Sequence, residues 1–403
     1  LEKAVSINPN NANYYNSMGN AFHIQGNFSK SVIYFKKSLS LIPNNADCHA
    51  NLSNSLQLQG NFEEAIKVAK KAISINPNHA IAFNNMGNAL HAQGLLEDAV
   101  KVYNKALSIK SNFVECYANI GNVLQDQGKM EQAVHNYKNA LSIDPHHISS
   151  FWGLSGTAKN INEAKNWIKY CLKADQNHEK ARLTLSALEF YEGNKSEFNS
   201  LMQSSLRNHP YLRSFSWVFN LPKLPKLFFN RWALFDHIVH LSNQERPFYE
   251  FGVWRGTSFR YFIKTFKKGY GFDTFQGLPE GWHNEDAGTY SSSGVIPQID
   301  GGEFIAGKFE DTLPDFFSKP RPIASLINFD ADLYSSTIFA LNCSKKIIDQ
   351  NTILIFDEFL INDYWEQDEY KALNEFCLNN KYTYEVIAIS FFTKQVAVRL
   401  IDN

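Results

Sequence analysis

The sequence has no excess of one charge and no long apolar run, and each absence argues against a class of protein. The 39 Lys and Arg residues nearly balance the 40 Asp and Glu residues, which leaves a formal net charge of -1. This balance argues against a nucleic-acid-binding protein that relies on a basic surface, and against broad attraction to an anionic membrane. Because no run of about 18 apolar residues occurs, no membrane-spanning helix is predicted.

Cysteine is scarce, and the five cysteines form no CxxC pair and no close cluster. A structural zinc site and a disulfide framework are therefore not expected. Cys48 and Cys116 are separated by two of the repeat periods described below, and we expect them at equivalent core positions. Reduced buried thiols favour a cytoplasmic protein. No signal peptide is visible, but the sequence opens in the middle of a repeat.

The first half of the chain repeats with a period of 34 residues. The early small residue of each unit lets two helices approach closely, and the later Gly turns the chain between them. An Ala marks the crossing of the helices, and Pro ends the second helix. The grids are Gly19, Ser53, Gly87 and Gly121; Gly26, Gly60, Gly94 and Gly128; Ala65, Ala99 and Ala133; and Pro9, Pro43, Pro77 and Pro145.

This pattern resembles the tetratricopeptide repeat, an α-solenoid. Full units are predicted over residues 10–43, 44–77, 78–111 and 112–145, with a partial unit before them. Divergent units follow, including a helical pair over about 178–209, and are expected to cap the stack. The repeat domain is thus predicted to cover residues 1–209.

Asparagines recur at two further positions of the period, on the first helix of each unit. In this family that helix lines a concave groove, and the groove resembles that of O-linked N-acetylglucosamine transferase. Side-chain amides in a ladder can bond a peptide backbone without reading its sequence. The alternative is that these asparagines only pack and hydrogen-bond where the helices contact one another. The candidates for binding a protein or peptide partner are Asn51, Asn85, Asn119, Asn54, Asn88 and Asn122.

The second half changes character, and a chain of this length is expected to hold more than one domain. Residues 210–245 are predicted as a bridging segment and a helix, Arg231–Ser242, and residues 246–403 as the second domain. Short apolar runs there alternate with helical stretches, which predicts a mostly parallel α/β sheet with helices on both faces. The runs are Phe248–Phe251, Gly269–Phe272, Ala324–Phe329 and Thr352–Phe356, with a hairpin of Tyr384–Ile389 and Gln395–Ile401.

Ligands of such sheets bind outside the carboxyl ends of the strands. After the first run, Gly252 and Gly256 lead into a helix, whose free amides suit a carboxylate, while Glu250 suits an ammonium group. S-adenosylmethionine carries both groups in its methionine moiety. Asp273 ends the second run and suits ribose hydroxyls, although a turn or helix cap is the alternative.

Four acids follow the next two runs. Asp330, Asp332, Asp357 and Glu358 are expected at one edge of the sheet, where unpaired carboxylates would repel without a counter-charge. Oxygen-only ligands favour Mg²⁺ or Mn²⁺. The alternative is that these acids are solvated and cap the following helices.

Together these segments resemble the macrocin O-methyltransferase family over residues 245–400. The resemblance implies the class I methyltransferase (Rossmann-like) fold and a metal-assisted methyl transfer from S-adenosylmethionine to a sugar hydroxyl of a small natural product. It rests on the motifs Glu250-Phe-Gly-Val-Trp-Arg-Gly, Gly271-Phe-Asp-Thr-Phe-Gln-Gly-Leu-Pro279, Asp330-Ala-Asp-Leu-Tyr-Ser-Ser336 and Phe356-Asp-Glu-Phe359.

Carried over residue by residue, the resemblance implies a metal site of Asp330, Asp357 and Glu358. The family usually has two adjacent Asp residues where this chain has Asp357-Glu358. The second of the two carboxylate side chains is therefore longer in this chain. Gly307–Pro314 matches the loop after the third strand, near the adenine. The implied cofactor-binding residues are Glu250, Phe251, Gly252, Gly256, Thr257, Ser258, Asp273, Phe309 and Glu310.

In the expected mechanism, Asp330 or Asp332 takes the proton of the acceptor hydroxyl. His283 is a rival base, and the alternative is that this lone His in a loop is a bystander. His283 lies in a Gly/Ser-rich insert, about residues 276–303, which is predicted to be an active-site lid. The rings of Trp282 and Tyr290 in this lid could stack on the face of a sugar, or they could only pack within the lid.

The expected function is therefore an O-methyltransferase for a sugar or glycoconjugate, with the repeats as a docking platform. Two alternatives stay open: a peptide or protein methyltransferase fed by the groove, and a non-catalytic repeat scaffold. Either the wide helical surface or the lid could support a homodimer.

Overall fold

The structure is a computed structural model that describes residue 8 and residues 10–402. Pro9 and residues 1–7 of the predicted partial repeat lie outside the described residues. The chain divides into two compact units, Leu1–Gly153 and Leu154–Asn403. Within the described part of the chain, no helix is long and apolar enough to cross a membrane.

The first unit is built from antiparallel helix pairs that match the predicted repeat units. Side chains of Asn11, Asn27 and Asn45 accept a backbone N–H in the first turn of a following helix, which is one reason for the many asparagines. The helices are α1 Ala12–Ile24, α2 Phe28–Leu41, α3 Ala46–Leu58, α4 Phe62–Ile75, α5 Ala80–Ala92, α6 Leu96–Ile109, α7 Val114–Asp126 and α8 Met130–Ile143.

The recurring small residues have the positions that the period predicts. Gly60 has a φ of +84°, in the turn between α3 and α4, and the turn glycines of the other full units are likewise left-handed. A Cβ on Gly87 would lie 2.5 Å from the ring of Tyr103, so only Gly lets α5 and α6 approach this closely. Cys48 and Cys116 are both fully buried, at equivalent positions.

Further helices follow the last full repeat. The predicted helical pair over 178–209 corresponds to helices Glu179–Tyr191 and Ser196–Met202 and a short 3₁₀ turn, Ser205–Asn208. The division between the compact units falls before Leu154, so α10 to α13 group with the second unit, whereas the predicted repeat domain extends to 209. The helices are α9 Ile148–Gly156, α10 Ile161–Ala174, α11 Glu179–Tyr191, α12 Ser196–Met202 and α13 Pro210–Phe219.

The second unit contains a mixed eight-stranded sheet in the order β1-β7-β8-β6-β5-β2-β3-β4. Neighbouring strands are parallel except that β8 is antiparallel to both β6 and β7. The strands are β1 Lys226–Phe228, β2 Phe248–Phe251, β3 Gly269–Asp273, β4 Gly302–Ala306, β5 Leu326–Phe329, β6 Ile353–Phe356, β7 Tyr382–Ser390 and β8 Val396–Asp402.

Helices connect these strands, and the residues predicted as a bridge contribute to the same unit. Within 210–245 lie β1, which pairs with β7, and α14, which begins at Arg231 as predicted. The predicted hairpin is the antiparallel pair of β7 and β8. The connecting helices are α14 Arg231–Leu241, α15 Thr257–Phe262, α16 Phe309–Ser318, α17 Tyr334–Ser344 and α18 Glu369–Asn380.

Candidate functional site

A row of four buried phenylalanines crosses the middle of the sheet near the carboxyl ends of its strands. Phe272, Phe251, Phe329 and Phe356 are in register on β3, β2, β5 and β6, with successive ring centroids 4.9, 5.3 and 4.9 Å apart. The residue after each Phe therefore lies at the same edge of the sheet. These residues are Asp273, Gly252, Asp330 and Asp357.

The strand order reverses at this edge. From β2 the chain continues to β3 and β4 on one side, and then crosses back to β5 and β6 on the other. Parallel sheets bind ligands in the crevice at such a switch point. The two sides meet tightly here, because a Cβ on Gly252 would lie 1.8 Å from the backbone oxygen of Asp330.

The loop after β2 is held in shape by the carboxylate of Asp273. Its Oδ2 accepts the backbone N–H groups of Val253 and Trp254, at 2.7 and 2.6 Å, and its Oδ1 accepts that of Phe275 at 2.6 Å. Gly252 is left-handed, with a φ of +90°. Asp273, predicted to bind ribose, thus has a structural role in the loop whatever else it binds.

Glu250 lies beneath this loop and is completely buried. Its Oε1 accepts a hydrogen bond from Asn328 at 2.8 Å, but its Oε2 has no partner among the described residues. Burial raises the pKa of Glu250 to about 8, although the nearby Ser258 and Asn328 favour the ionised form. The site therefore offers an unused, buried acceptor that a cationic donor would satisfy.

The other predicted cofactor residues differ in their surroundings. Thr257 is exposed and Ser258 buried at the start of α15, a helix of only six residues. Phe309 is buried against Phe251, with ring centroids 5.7 Å apart, and Glu310 is exposed one position later. Gly256 has a φ of +72°, as a glycine-dependent turn requires.

Five carboxyl groups, here called the acidic edge, converge beside this loop. Burial, followed by the charges of neighbouring acids, raises the pKa of both Asp330 and Asp332 well above the usual range. Asp332 also has a left-handed φ of +59°, which is rare for a residue with a side chain. The acidic edge consists of Asp330, Asp332, Asp357, Glu358 and Glu369.

Two of these acids have cationic or amide side-chain partners. Asp357 accepts a hydrogen bond from Gln395 at 2.6 Å and lies 3.5 Å from the guanidinium of Arg231. Glu358 pairs with Lys394 at 2.6 Å. Burial still raises the pKa of Glu358, although Lys394 acts in the opposite direction.

Sequence reasoning missed Glu369, which is the first residue of α18 and completely buried. Its Oε2 accepts the backbone N–H of Glu358 at 3.1 Å, while its Oε1 has no partner in the described part of the chain. Burial and then the charges of Asp357, Asp332, Asp330 and Glu358 raise its pKa well above the usual range. The adjacent acids Asp368 and Glu369 were a visible signal, but at a helix start they indicate only a cap.

The acidic edge provides oxygen donors of the kind that Mg²⁺ and Mn²⁺ prefer. Across the described residues, however, no three His, Cys, Asp or Glu side chains are arranged as a metal site. The buried, unpartnered Oε1 of Glu369 fits a cation, because such an oxygen lacks any compensating donor. The residues present thus have the oxygen chemistry that a divalent ion prefers, but no three of the described side chains are arranged to bind one together.

The insert between β3 and β4, predicted as a lid, contacts this edge through Tyr290. The Tyr290 ring packs edge to face against that of Trp254 in the loop after β2, with centroids 5.9 Å apart. Burial and then the charges of Asp332, Glu285, Glu358 and Asp330 raise the pKa of Tyr290. Tyr290 therefore lies near both the loop and the acids.

His283 of the same insert is held by the segment after β6. Its Nε2 lies 2.8 Å from a carboxylate oxygen of Asp368, which is buried, and its ring stacks on Tyr364 at 4.5 Å. Trp282 packs beside His283, and its indole N–H is buried without a partner among the described residues.

In the first compact unit, the asparagine side chains of the predicted ladder largely hydrogen-bond to one another and to other residues of the repeat helices. Asn51 donates to Asn20 at 3.2 Å, and Asn119 donates to Asn88 at 3.0 Å. Asn85 is buried and donates to the backbone oxygen of Ala50 at 2.9 Å. The side chain of Asn54 hydrogen-bonds to that of His23, and the side chain of Asn122 hydrogen-bonds to that of Tyr137. These amides therefore serve as contacts between helices, whatever they bind in addition.

Comparison with known families identifies the repeats. Residues 12–45 and 114–147 match family models described as the tetratricopeptide repeat, and residues 54–94 and 87–128 match one described as the TPR repeat. No curated protein matches the chain.

Several solved structures resemble part of the chain. TTC0263, a thermophilic TPR protein of Thermus thermophilus, is 15% identical over 44% of this chain and 99% of its own, with a TM-score of 0.42. The pilF protein of Pseudomonas aeruginosa is 20% identical over 51% of this chain and 96% of its own, with a TM-score of 0.42. YrrB, a TPR protein with an unusual peptide-binding site, is 19% identical over 45% of this chain and 94% of its own, with a TM-score of 0.33.

At such identities and TM-scores, these likenesses carry no argument about function. The family matches and the helix pairs agree with one another over the full repeat units. The first unit of this chain is a tetratricopeptide repeat solenoid, a scaffold for protein interaction.

Proposed function

We propose that the second unit is an S-adenosylmethionine-dependent, divalent-metal-assisted O-methyltransferase, and that the repeats dock a protein or a substrate. The acceptor is a hydroxyl of a sugar or glycoconjugate. The observation that carries the proposal is the buried Glu250, whose Oε2 lacks a partner among the described residues at the point where the strand order reverses.

The strand order supports a Rossmann-like, class I methyltransferase fold for this unit. The strands β4-β3-β2-β5-β6 follow the doubly wound order, with β2 as the first strand. The Gly loop after β2 and the acid after β3 then occupy the positions at which such folds bind a nucleotide-like ligand. Their agreement with the macrocin O-methyltransferase motifs supports the same interpretation.

Each cofactor role follows from the local chemistry. Glu250 would accept the methionine ammonium group, which favours its ionised form. Asp273 keeps the loop in shape and still has lone pairs for a ribose hydroxyl. Phe309, packed on Phe251, would border the adenine. When bound, S-adenosylmethionine would supply the methyl group.

The acidic edge would prepare the acceptor. Asp330, Asp357 and Glu358 would hold the divalent cation, whose charge would lower the pKa of a nearby hydroxyl. Asp332 or Asp330 would take the proton of the acceptor hydroxyl, because both carboxyl groups belong to the acidic edge beside the loop after β2. His283 is a second candidate base, since Asp368 fixes its ring through Nε2.

The lid favours a sugar as the acceptor. Tyr290 and Trp254 present aromatic surface close to the acids, and such rings suit the apolar face of a sugar. A peptide substrate drawn from the repeat groove has less support, because the groove amides already bond to each other.

Calorimetric titration of S-adenosylmethionine into the full chain, with and without Mg²⁺, tests the proposal. Glu250→Gln should weaken binding roughly 10- to 100-fold, because it removes a charge-assisted hydrogen bond. Glu245→Gln, an exposed change in the loop before β2, is the matched control and should bind like the wild type. Asp273→Ala is less decisive, since it also frees three loop amides.

No binding by the wild type would contradict the enzyme proposal and leave a repeat scaffold joined to an α/β unit. Equal binding by Glu250→Gln would contradict the assigned cofactor position. Binding that Glu250→Gln weakens would justify a screen of glycan and peptide acceptors.

A further inference from the structure

The insert between β3 and β4 is held in place by the segment that follows β6. Nε2 of His283, in the insert, lies 2.8 Å from a carboxylate oxygen of Asp368, and the His283 ring stacks on that of Tyr364 with centroids 4.5 Å apart. Both partners belong to residues 359–368, here called the lid anchor, which lead from β6 to α18. The position of the insert therefore depends on what holds the lid anchor.

Helix α13 binds the lid anchor through two adjacent polar residues. The Arg213 guanidinium donates two hydrogen bonds to the carboxylate of Glu366, at 2.7 and 3.2 Å, and another to the backbone oxygen of Asp363, at 2.7 Å. The hydroxyl oxygen of Ser214 accepts the backbone N–H of Ile361 at 2.8 Å. A forked pair of hydrogen bonds from a guanidinium to a carboxylate fixes orientation as well as distance. These contacts therefore define how the lid anchor lies on α13.

Trp217, one helical turn after Arg213, adds an aromatic contact between the same two segments. Its ring centroid lies 5.6 Å from that of Phe359 and 6.1 Å from that of Trp365. The first of these rings lies near the start of the lid anchor and the second near its end. Helix α13 thus contacts the lid anchor along most of its length.

The backbone of the lid anchor is strained at Ile361, which explains why it needs this support. Ile361 has a φ of +75°, and across it the backbone oxygen of Leu360 accepts the N–H of Asn362 at 2.9 Å. This is the rare form of γ-turn with a positive φ, which a β-branched residue strongly disfavours. Such strain persists only where neighbours fix the backbone, and Ser214 binds the N–H of the strained residue itself. Without α13, the lid anchor is expected to relax.

We propose that Arg213 and Ser214 are positioning residues of the candidate site, which hold the lid anchor in the conformation that clamps His283 of the insert. This inference rests on the proposed function only for the role of the insert as a lid over the acceptor. Tyr290 of the same insert packs against Trp254 in the loop after β2. The placement of the insert therefore shapes the side of the site that would face the acceptor.

Hydrogen exchange of the insert, measured by mass spectrometry on the full chain without cofactor, tests this assignment. The reporting amides are those of Trp282 and Glu285, whose N–H groups each donate to the backbone oxygen of the other, at 2.9 and 2.7 Å. Arg213→Ala should speed their exchange roughly tenfold, because it removes charge-assisted hydrogen bonds that hold the lid anchor. Arg182→Ala, which removes an arginine paired with Glu197 in the same compact unit, is the matched control and should leave these amides unchanged.

A double variant separates positioning through the clamp from general loosening. His283→Ala removes the clamp itself and should also speed exchange of the insert roughly tenfold. If Arg213 acts through this clamp, Arg213→Ala should add less than about twofold in the His283→Ala background. A further increase as large as in the wild-type background would overturn the assignment. An unchanged insert in either single variant would overturn it as well.

Milder variants keep the result decisive if Arg213→Ala does not fold. Arg213→Lys retains the positive charge without the forked geometry, so exchange of the insert should lie between those of the wild type and the alanine variant. Ser214→Ala should speed it in the same direction, because it leaves the N–H of Ile361 without its acceptor. In both variants the amides of β2 and β5 should exchange like those of the wild type, which shows that the sheet remains folded.

Faster exchange in the lid anchor without faster exchange in the insert would contradict the positioning role. The outcome is also separable from that of the proposed function, because no cofactor is present in the measurement. If S-adenosylmethionine does not bind to the wild type, the enzyme proposal fails, whereas the link from α13 to the insert is decided by exchange alone.

Discussion

Glu250 links burial to the pH dependence of stability. Its pKa is raised from 4.5 to about 8 in the folded chain, so the folded state binds the proton more tightly than the unfolded state. Stability is therefore greatest below the unfolded value and falls as the pH rises towards the folded value. The loss is at most about 1.4 kcal/mol for each pH unit in this window.

Glu250→Gln removes this titration, so the variant should gain stability relative to the wild type as the pH rises from about 5 to about 8.5. Calorimetric melting at several pH values measures the difference, with Glu245→Gln as the control. The other carboxyl groups with raised pKa values are present in both proteins, so their contributions cancel in the difference in stability. A difference between wild type and variant that stays constant with pH would contradict the assigned pKa.

Some residues of the site follow from sequence and others do not. Asp330 and Asp357 could be placed together, because carboxyl ends of parallel strands share an edge. Lys394, Arg231 and Glu369 come from a hairpin turn and from two helix starts. Their positions depend on how distant elements pack, which no local pattern encodes.

At the scale of elements, two kinds of glycine in the repeats should respond differently to alanine. Gly60 has a φ of +84° and nothing within 4 Å of an added Cβ, so Gly60→Ala should lower the free energy of unfolding by about 1 kcal/mol through backbone strain alone. Gly87→Ala would place the Cβ 2.5 Å from the buried Tyr103 and should lower it by about 2 kcal/mol or more.

Thermal unfolding followed by circular dichroism at 222 nm, roughly the helical minimum, compares the two variants with the wild type. The larger loss for Gly87→Ala is expected even though Ala favours the helix interior by about 1 kcal/mol. If the two variants lose the same stability, close approach of α5 and α6 is not what selects Gly at this position.

Strands were predictable where they are buried on both faces. The central β2, β5 and β6 are continuous apolar runs, and their predicted ends agree with the structure to within two residues. The outermost strands, β1 and β4, were not among the predicted runs. Lys226–Phe228 follows Pro225, and Gly302–Ala306 contains no fully buried residue, so neither carries the signal of a central strand.

At the scale of the whole molecule, the two units were predictable to different depths. The repeats are recognisable because each repeat contacts mainly its neighbours, so one period describes the helix pairs from α1 to α8. The second unit depends on pairings between strands that are far apart in sequence, such as β1 with β7. Helices α10 to α13 belong to this unit by compactness, although their sequence continues the helical character of the repeats.

All the proposed cofactor residues lie in the second unit, and this predicts where the cofactor will stabilise the chain. A ligand at about 100 times its Kd adds roughly 2.7 kcal/mol to the state that binds it. Hydrogen exchange measured by mass spectrometry, with and without S-adenosylmethionine, should show slower exchange around β2, β3 and the lid. Compact units with their own cores respond separately by default, so amides of α1 to α8 should exchange at unchanged rates. Protection of the repeats by the cofactor would instead show that binding in one unit is coupled to stability in the other.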